Sequence, residues 1–343
     1  MLQMKSCAFA LLAFPLAAQT LAPRSVPARQ IPVPTDVSPA LQKVIARPAR
    51  PDNAPPPKTA EEWKKSLAGP NAEEAKNAER LAQELHVAVK PGNIAGVPVF
   101  YVTPAIVPPQ NKGRLLMHVH GGGYVAFAGM AATSEAILLA SHTGIAVVSV
   151  DYRMPPDAPF PAAVDDAAAV WKSLIQSHNP RSMALFGTSA GGGLTLATTL
   201  KLKELKLPLP GALMAGTPWA DLTQTGDTEF TNQYLDNTLV QYQGGLAADA
   251  RLYAGSHSLK EPLISPVYGD LSGFPPTILV TGTRDLFLSD TVRVHQKLLQ
   301  AGVDAQLIVL EGQSHAQYLD NSIPESRAAL DEVAQFLDRH LDR

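Results

Sequence analysis

Short apolar runs punctuate the chain from residue 97 onward, at 97–102, 115–119, 146–150, 184–186, 212–215, 277–281 and 306–310. They are rich in branched side chains and bounded by Gly, Pro and polar residues, which predicts strands. The later runs are apolar at successive positions, as strands buried on both faces of a parallel sheet are. Between the runs the apolar period lengthens. Residues 131–141, 162–175, 190–205, 291–301 and 325–341 repeat at three and four positions, the spacing of one helical face. In the second of these, Val164, Ala168, Trp171 and Ile175 share a stripe. Strand and helix in alternation predict an α/β fold with a mostly parallel central sheet and helices on both of its faces. Nothing self-similar recurs at a fixed period, so the pattern is not an internal repeat.

Three stretches depart from that rhythm. Residues 221–262, rich in Thr, Asn, Gln and Tyr, show no strand and read as an insertion at the carboxyl end of the sheet. Upstream, 61–85 sets Ala75, Ala78, Leu81, Ala82 and Leu85 at helical spacing among charges, with Trp63 as an apolar anchor. Residues 23–57 contain ten prolines, and such a stretch makes few ladders and buries little. It reads as an extended linker or a tail wrapping the body. The expected partition is therefore 1–22 as a leader, 23–57 as linker or tail, and 58–343 as one domain.

The leader has the form of a signal peptide. Lys5 precedes an apolar stretch at 8–18 that is too short to span a bilayer, and Ala17-Ala18 or Thr20-x-Ala22 offers a cleavage site. A secreted or periplasmic location follows as an expectation. Cys7, the only cysteine, falls inside the leader, so cleavage removes both disulfides and thiol catalysis from consideration. The formal net charge of −3 argues against a nucleic acid or an anionic membrane surface as partner. No later segment has the length and apolarity for stable membrane insertion. The expected partner is a small molecule, and a homodimer is compatible with all of this.

Candidate chemistry enters at the strand ends. Gly187-Thr188-Ser189-Ala190-Gly191 follows a strand and opens a helix, the context in which a sharp turn exposes a nucleophilic serine. Glycines on either side make room where a Cβ would clash, and free N–H groups of the helix face the serine. His120-Gly121-Gly122-Gly123 also follows a strand. The amides of Gly122, Gly123 and Ala190 are the candidate oxyanion hole, each such donor being worth about 3 kcal/mol to a tetrahedral intermediate. This glycine strip lacks the lysine and spacing of a phosphate loop, and His120 is expected to brace it. A serine nucleophile needs a base, and the base an orienting carboxylate. Asp285 and His315 each lie just past a strand end, in the order Ser, Asp, His. Asp290, inside the next helix, is the rival acid. Tyr124, Trp219 and Leu286, with Phe127, Phe230 and Tyr234, are candidate pocket walls. No metal ligand set is evident.

Taken together these residues resemble the hormone-sensitive-lipase family of α/β-hydrolases, the bacterial family IV esterases. The resemblance rests on His120 to Gly123, Asp151-Tyr152-Arg153 with Pro155-Pro156, Phe160-Pro161-Ala162-Ala163 with Asp165-Asp166, Gly187 to Gly192, Asp285 and His315, and spans roughly residue 115 to 343. It implies a helical cap, here 58–90 plus 221–262, and hydrolysis of short- to medium-chain acyl esters without metal or cofactor. Three departures stand out. Thr188 replaces the frequent Asp, as in the Gly-Thr-Ser-Ala-Gly branch. Ala316 replaces a frequent Gly, and Arg284-Asp285-Leu286-Phe287 replaces the common Asp-Pro-Leu surroundings of the acid. Residues 217–223 and 282–286 are similar to lactone-hydrolase-like members, which adds cyclic esters to the candidate substrates. An amidase on the same three residues, and a catalytically silent binding protein, are the alternatives.

Overall fold

The computed structural model describes residues 22–49 and 55–343. Residues 22–32 form no helix or strand, and the sheet and the site belong to the unit Val33–Arg343. The expected signal peptide, apart from its last residue, lies outside the described residues.

Eight strands form one sheet: β1 (Val87–Ile94), β2 (Val97–Pro104), β3 (Leu115–Val119), β4 (Ala146–Val150), β5 (Met183–Thr188), β6 (Ala212–Gly216), β7 (Thr277–Gly282) and β8 (Ala305–Leu310). Their order is β1-β2-β4-β3-β5-β6-β7-β8. β1 and β2 are antiparallel, as are β2 and β4, while β4 through β8 pair in parallel. The apolar runs foretold seven of these strands. β1 escaped because it carries Lys90, Pro91, Gly92 and Asn93 and alternates in exposure. It sits on the edge of the sheet, where proline costs no ladder bond.

The helices are α1 (Pro39–Ile45), α2 (Ala60–Glu84), α3 (Ser134–Thr143), α4 (Ala162–Leu174), α5 (Ala190–Glu204), α6 (Thr228–Thr231), α7 (Ala247–Ala254), α8 (Leu288–Gln300) and α9 (Pro324–His340). Residues of successive strand positions divide between two cores. Leu115, Met117 and Val119 pack with α4, α5 and α8 on one face. Leu116 packs with α3 and α9 on the other, together with Ala78 and Leu81 of α2. Both faces are thus covered, which accounts for the unbroken apolarity of the central strands.

Inside the proline-rich stretch the backbone is not wholly extended. Ser38 caps α1 by accepting from Leu41 N, and Leu41, Val44 and Ile45 are buried with Ile323. The backbone N–H and the hydroxyl of Ser38 also donate to the Glu325 carboxylate at 2.6 and 2.8 Å. Prolines dominate the composition here and hide a short apolar helix. The cap boundaries also shift, since Val87 to Lys90 belong to β1. α2 begins with a capping box between Thr59 and Glu62, and its Trp63 packs with Val125, Ala126 and, from α7, Ala248. The upstream helix and the insertion therefore meet over the loop that follows β3.

Candidate active site

The link from β5 to α5 is a single residue. Ser189 takes φ 63° and ψ −125°, a region costly for any side chain and kept only where surroundings over-determine it. Here its N–H donates to Gly216 O at 2.9 Å, and its carbonyl accepts from Gly193 N at 3.0 Å and Trp219 N at 2.9 Å. A Cβ at Gly187 or Gly191 would collide with Val119 O, so those glycines let β3 and the turn lie against each other. Ala190, buried at the start of α5, carries one of the N–H groups that a helix leaves without an internal acceptor.

The glycine strip lies alongside. Gly122 and Gly123 adopt φ of 102° and 63°, and a Cβ on Gly121 would stand 2.7 Å from Thr188 O. The strip is curled by Val125 N and Ala126 N donating to Gly122 O at 3.0 and 2.9 Å. His120 is buried, with Nδ1 at 2.8 Å from Gly121 O and its ring stacked on Tyr152 at 4.1 Å. Tyr152 in turn donates to His120 O at 2.7 Å. Burial holds the imidazole neutral, its pKa pushed down to about 3 despite the Gly121 contact. That makes His120 a brace for the strip, as the sequence suggested.

Asp285 and His315 meet across the ends of β7 and β8, with His315 Nδ1 at 3.1 Å from Asp285 Oδ1. Asp285 is further held by Phe287 N, donating to Oδ1 at 2.8 Å, by Thr281 Oγ1 at 2.9 Å to Oδ2, and by the Thr217 hydroxyl. Thr217 Oγ1 also lies 3.0 Å from His315 Nδ1. The Phe287 ring meets the imidazole edge-on at 4.9 Å. Asp290, the rival acid, points elsewhere. It accepts from Ala220 N and Asp221 N at 3.1 and 2.9 Å, and burial, then the Asp221 charge, raises its pKa well above the carboxylate range. Ala316 takes φ 57°, the left-handed region that explains why glycine is frequent after such a histidine.

Ser189, His315, Gly122 and Gly123 all line one cavity of about 430 Å³. Its remaining wall is mostly small and aliphatic, including Leu67 of α2, Ala131, Leu239 and Leu246 of the insertion, and Phe127. The other expected wall residues are elsewhere. Tyr124 stacks on Tyr253 at 3.9 Å and Trp219 on Phe287 at 5.4 Å, and both, like Leu286, are fully packed core residues. Phe230 and Tyr234 are exposed. Aromatic identity alone did not reveal which side of a loop faces the void.

Residues that the motifs did not flag complete the surroundings. Asn232 Nδ2 donates to Asp285 O at 2.9 Å and Thr283 O at 3.2 Å. Thr228 Oγ1 donates to Leu286 O at 2.9 Å. The Thr188 hydroxyl donates to buried Glu135 Oε1 at 2.5 Å and pairs with Tyr318. Among the described residues no group of three or more His, Cys, Asp or Glu is placed to hold a metal, and no helix is long and apolar enough to cross a membrane.

This elbow, glycine strip and His–Asp pair at the carboxyl ends of a parallel sheet define a class, and comparison agrees. The family model for the alpha/beta hydrolase fold matches residues 116–319, and the chain belongs to that family. Within it the chain is one of the hormone-sensitive-lipase type bacterial esterases, a carboxylic ester hydrolase. It is 32% identical to an acetyl-hydrolase of Streptomyces hygroscopicus over 74% of this chain and 84% of that one. The crystal structure of an esterase named E25 superposes with a TM-score of 0.90 at 42% identity, covering 93% of this chain and 99% of the other. That of an esterase from the bacterial hormone-sensitive lipase family gives 0.77 at 29% identity, over 88% and 98%.

Proposed function

We propose that the chain hydrolyses short- to medium-chain carboxylic esters through an acyl-enzyme on Ser189, with His315 as general base and Asp285 as its orienting acid. The observation that carries this reading is the His315–Asp285 contact at 3.1 Å opening onto the cavity that Ser189 also lines. In the reaction His315 takes the hydroxyl proton as Ser189 attacks the ester carbonyl. The amides of Gly122, Gly123 and Ala190 receive the oxyanion, and Asp285 steadies the imidazolium. The protonated histidine then gives its proton to the leaving alcohol. Water, deprotonated by the same histidine, releases the acid. A cavity of this size with an aliphatic wall favours a compact acyl chain. Export from the cytoplasm belongs to the same proposal and rests on Lys5 and the apolar stretch at 8–18.

Ser189→Ala is expected to abolish turnover of p-nitrophenyl butyrate and labelling by a fluorophosphonate in protein that stays folded. Asp285→Asn should lower kcat about 10³- to 10⁴-fold, while Asp290→Asn keeps it within a few-fold. Turnover that survives in the Ser189 variant would show that another nucleophile acts.

A further inference from the structure

The insertion supplies a second buried carboxylate beside the histidine. Asp236 is fully buried and accepts four backbone N–H bonds. Its Oδ1 receives Thr238 N at 2.8 Å and Leu239 N at 3.0 Å, which closes a turn of the insertion on itself. Its Oδ2 receives Leu286 N at 2.8 Å and His315 N at 3.3 Å. One oxygen thus joins the residue after the acid to the base itself. All four partners donate, so the arrangement suits the ionised carboxylate. The titratable groups facing it are Asp285 on the acid loop and His315 on the base loop; burial, then the Asp285 charge, hold its pKa above the ordinary carboxylate value, although His315 and the N–H bonds from Leu286 and Leu239 pull it down.

The next residue extends the fastening. Asn237 N donates to Ser314 Oγ at 3.1 Å, and Gln317 Nε2 donates to Asn237 Oδ1 at 2.6 Å. Asn237 Nδ2 donates to Val44 O in α1 and to Arg47 O just past it, at 3.0 and 3.1 Å.

Resting on the hydrolytic reading above, we infer that Asp236 is a positioning residue, through which the insertion sets the spacing and charge around the His315–Asp285 pair. Its negative charge also favours the imidazolium that forms during the reaction. A purely structural turn would influence stability alone.

The test is Asp236→Asn in the full chain, with p-nitrophenyl butyrate kinetics across pH. Either orientation of the amide turns its NH₂ toward two N–H donors, so the loops loosen while the shape is kept. The expected result is a kcat lower by about 10- to 100-fold, a KM within about threefold, and an acid limb of kcat/KM moved toward lower pH by about half a unit or more. A folded variant with unchanged kcat and limb overturns the inference, as does a kcat loss that merely follows lowered thermal stability with the limb in place. If Asp236→Asn does not accumulate as folded protein, Asn237→Ala decides. It leaves the carboxylate, so kcat should fall several-fold with the acid limb unmoved, and an unchanged kcat overturns the inference. Fluorophosphonate labelling of the unaltered enzyme separates the two levels. Absent labelling sinks the catalytic reading itself, whereas normal labelling beside indifferent variants sinks only the role of Asp236.

Discussion

The proposed nucleophile and its proposed base are held in different ways. Around Ser189 the work is done by main chain: the carbonyl of Gly216, the amides of Gly193 and Trp219, and glycines whose missing Cβ lets β3 approach. Around His315 and Asp285 it is done by side chains of the insertion, Asn232 and Asp236, that grip loop backbone. A turn fixed by backbone is nearly all-or-none, because a single methyl group displaces it. Loops fastened by side chains are adjustable, because each bond is worth about 1 kcal/mol and can be changed alone.

The largest effect should come from breaking the backbone side. Gly187→Ala places a methyl group against Val119 O and the Gly191 main chain. It is expected to cost about 3 kcal/mol or more and to leave little soluble enzyme, as thermal unfolding and expression level will show. On the adjustable side, Asn232→Ala unfastens Asp285 O and Thr283 O. It should lower kcat about tenfold at nearly constant KM in a protein that remains folded. A loss as complete as that of Gly187→Ala would erase the distinction.

The smallest effect on activity concerns a buried carboxyl that neither side uses. Glu229, at the start of the insertion, has no partner at either carboxyl oxygen. Burial, then the Asp290 and Asp221 charges, pushes its pKa from 4.5 up to about 9. The folded chain keeps this proton where the unfolded chain releases it. Stability present below about 4.5 is therefore lost progressively as pH rises toward 9. Glu229→Gln should flatten the fall of Tm between those limits, with kcat unchanged. An equally steep fall in the variant would assign the dependence to other groups.

What the sequence disclosed follows the same division. Backbone-built parts leave a signature, because glycines at fixed spacing after a β-branched run have few other uses. Ser189 and the strip at Gly121 to Gly123 were legible for that reason, and seven of the eight strands, β2 to β8, through their apolar runs. Asp285 and His315 were legible through strand-end placement, which already ranked Asp290 second because it falls inside the next helix, and the structure sets Asp285 at 3.1 Å from His315. The fasteners were not legible. Asn232 and Asp236 sit in a polar stretch where every other residue offers a hydrogen bond, and nothing local marks which of them reach another loop. The pocket was misjudged for a related cause. Tyr124 and Trp219 are large and apolar enough to be walls, but packing against Tyr253 and Phe287 claimed them. β1 and α1 were hidden by prolines that an edge strand and a helix start both tolerate.

The contact between Ser38 and Glu325 spans 287 residues of sequence. A ribosome delivers these two partners far apart in time, and the histidine loop that α1 helps to secure emerges shortly before the second of them. In the proposed reading, hydrolytic competence accordingly waits for residue 315 and the helix beyond it, however early Ser189 is in place.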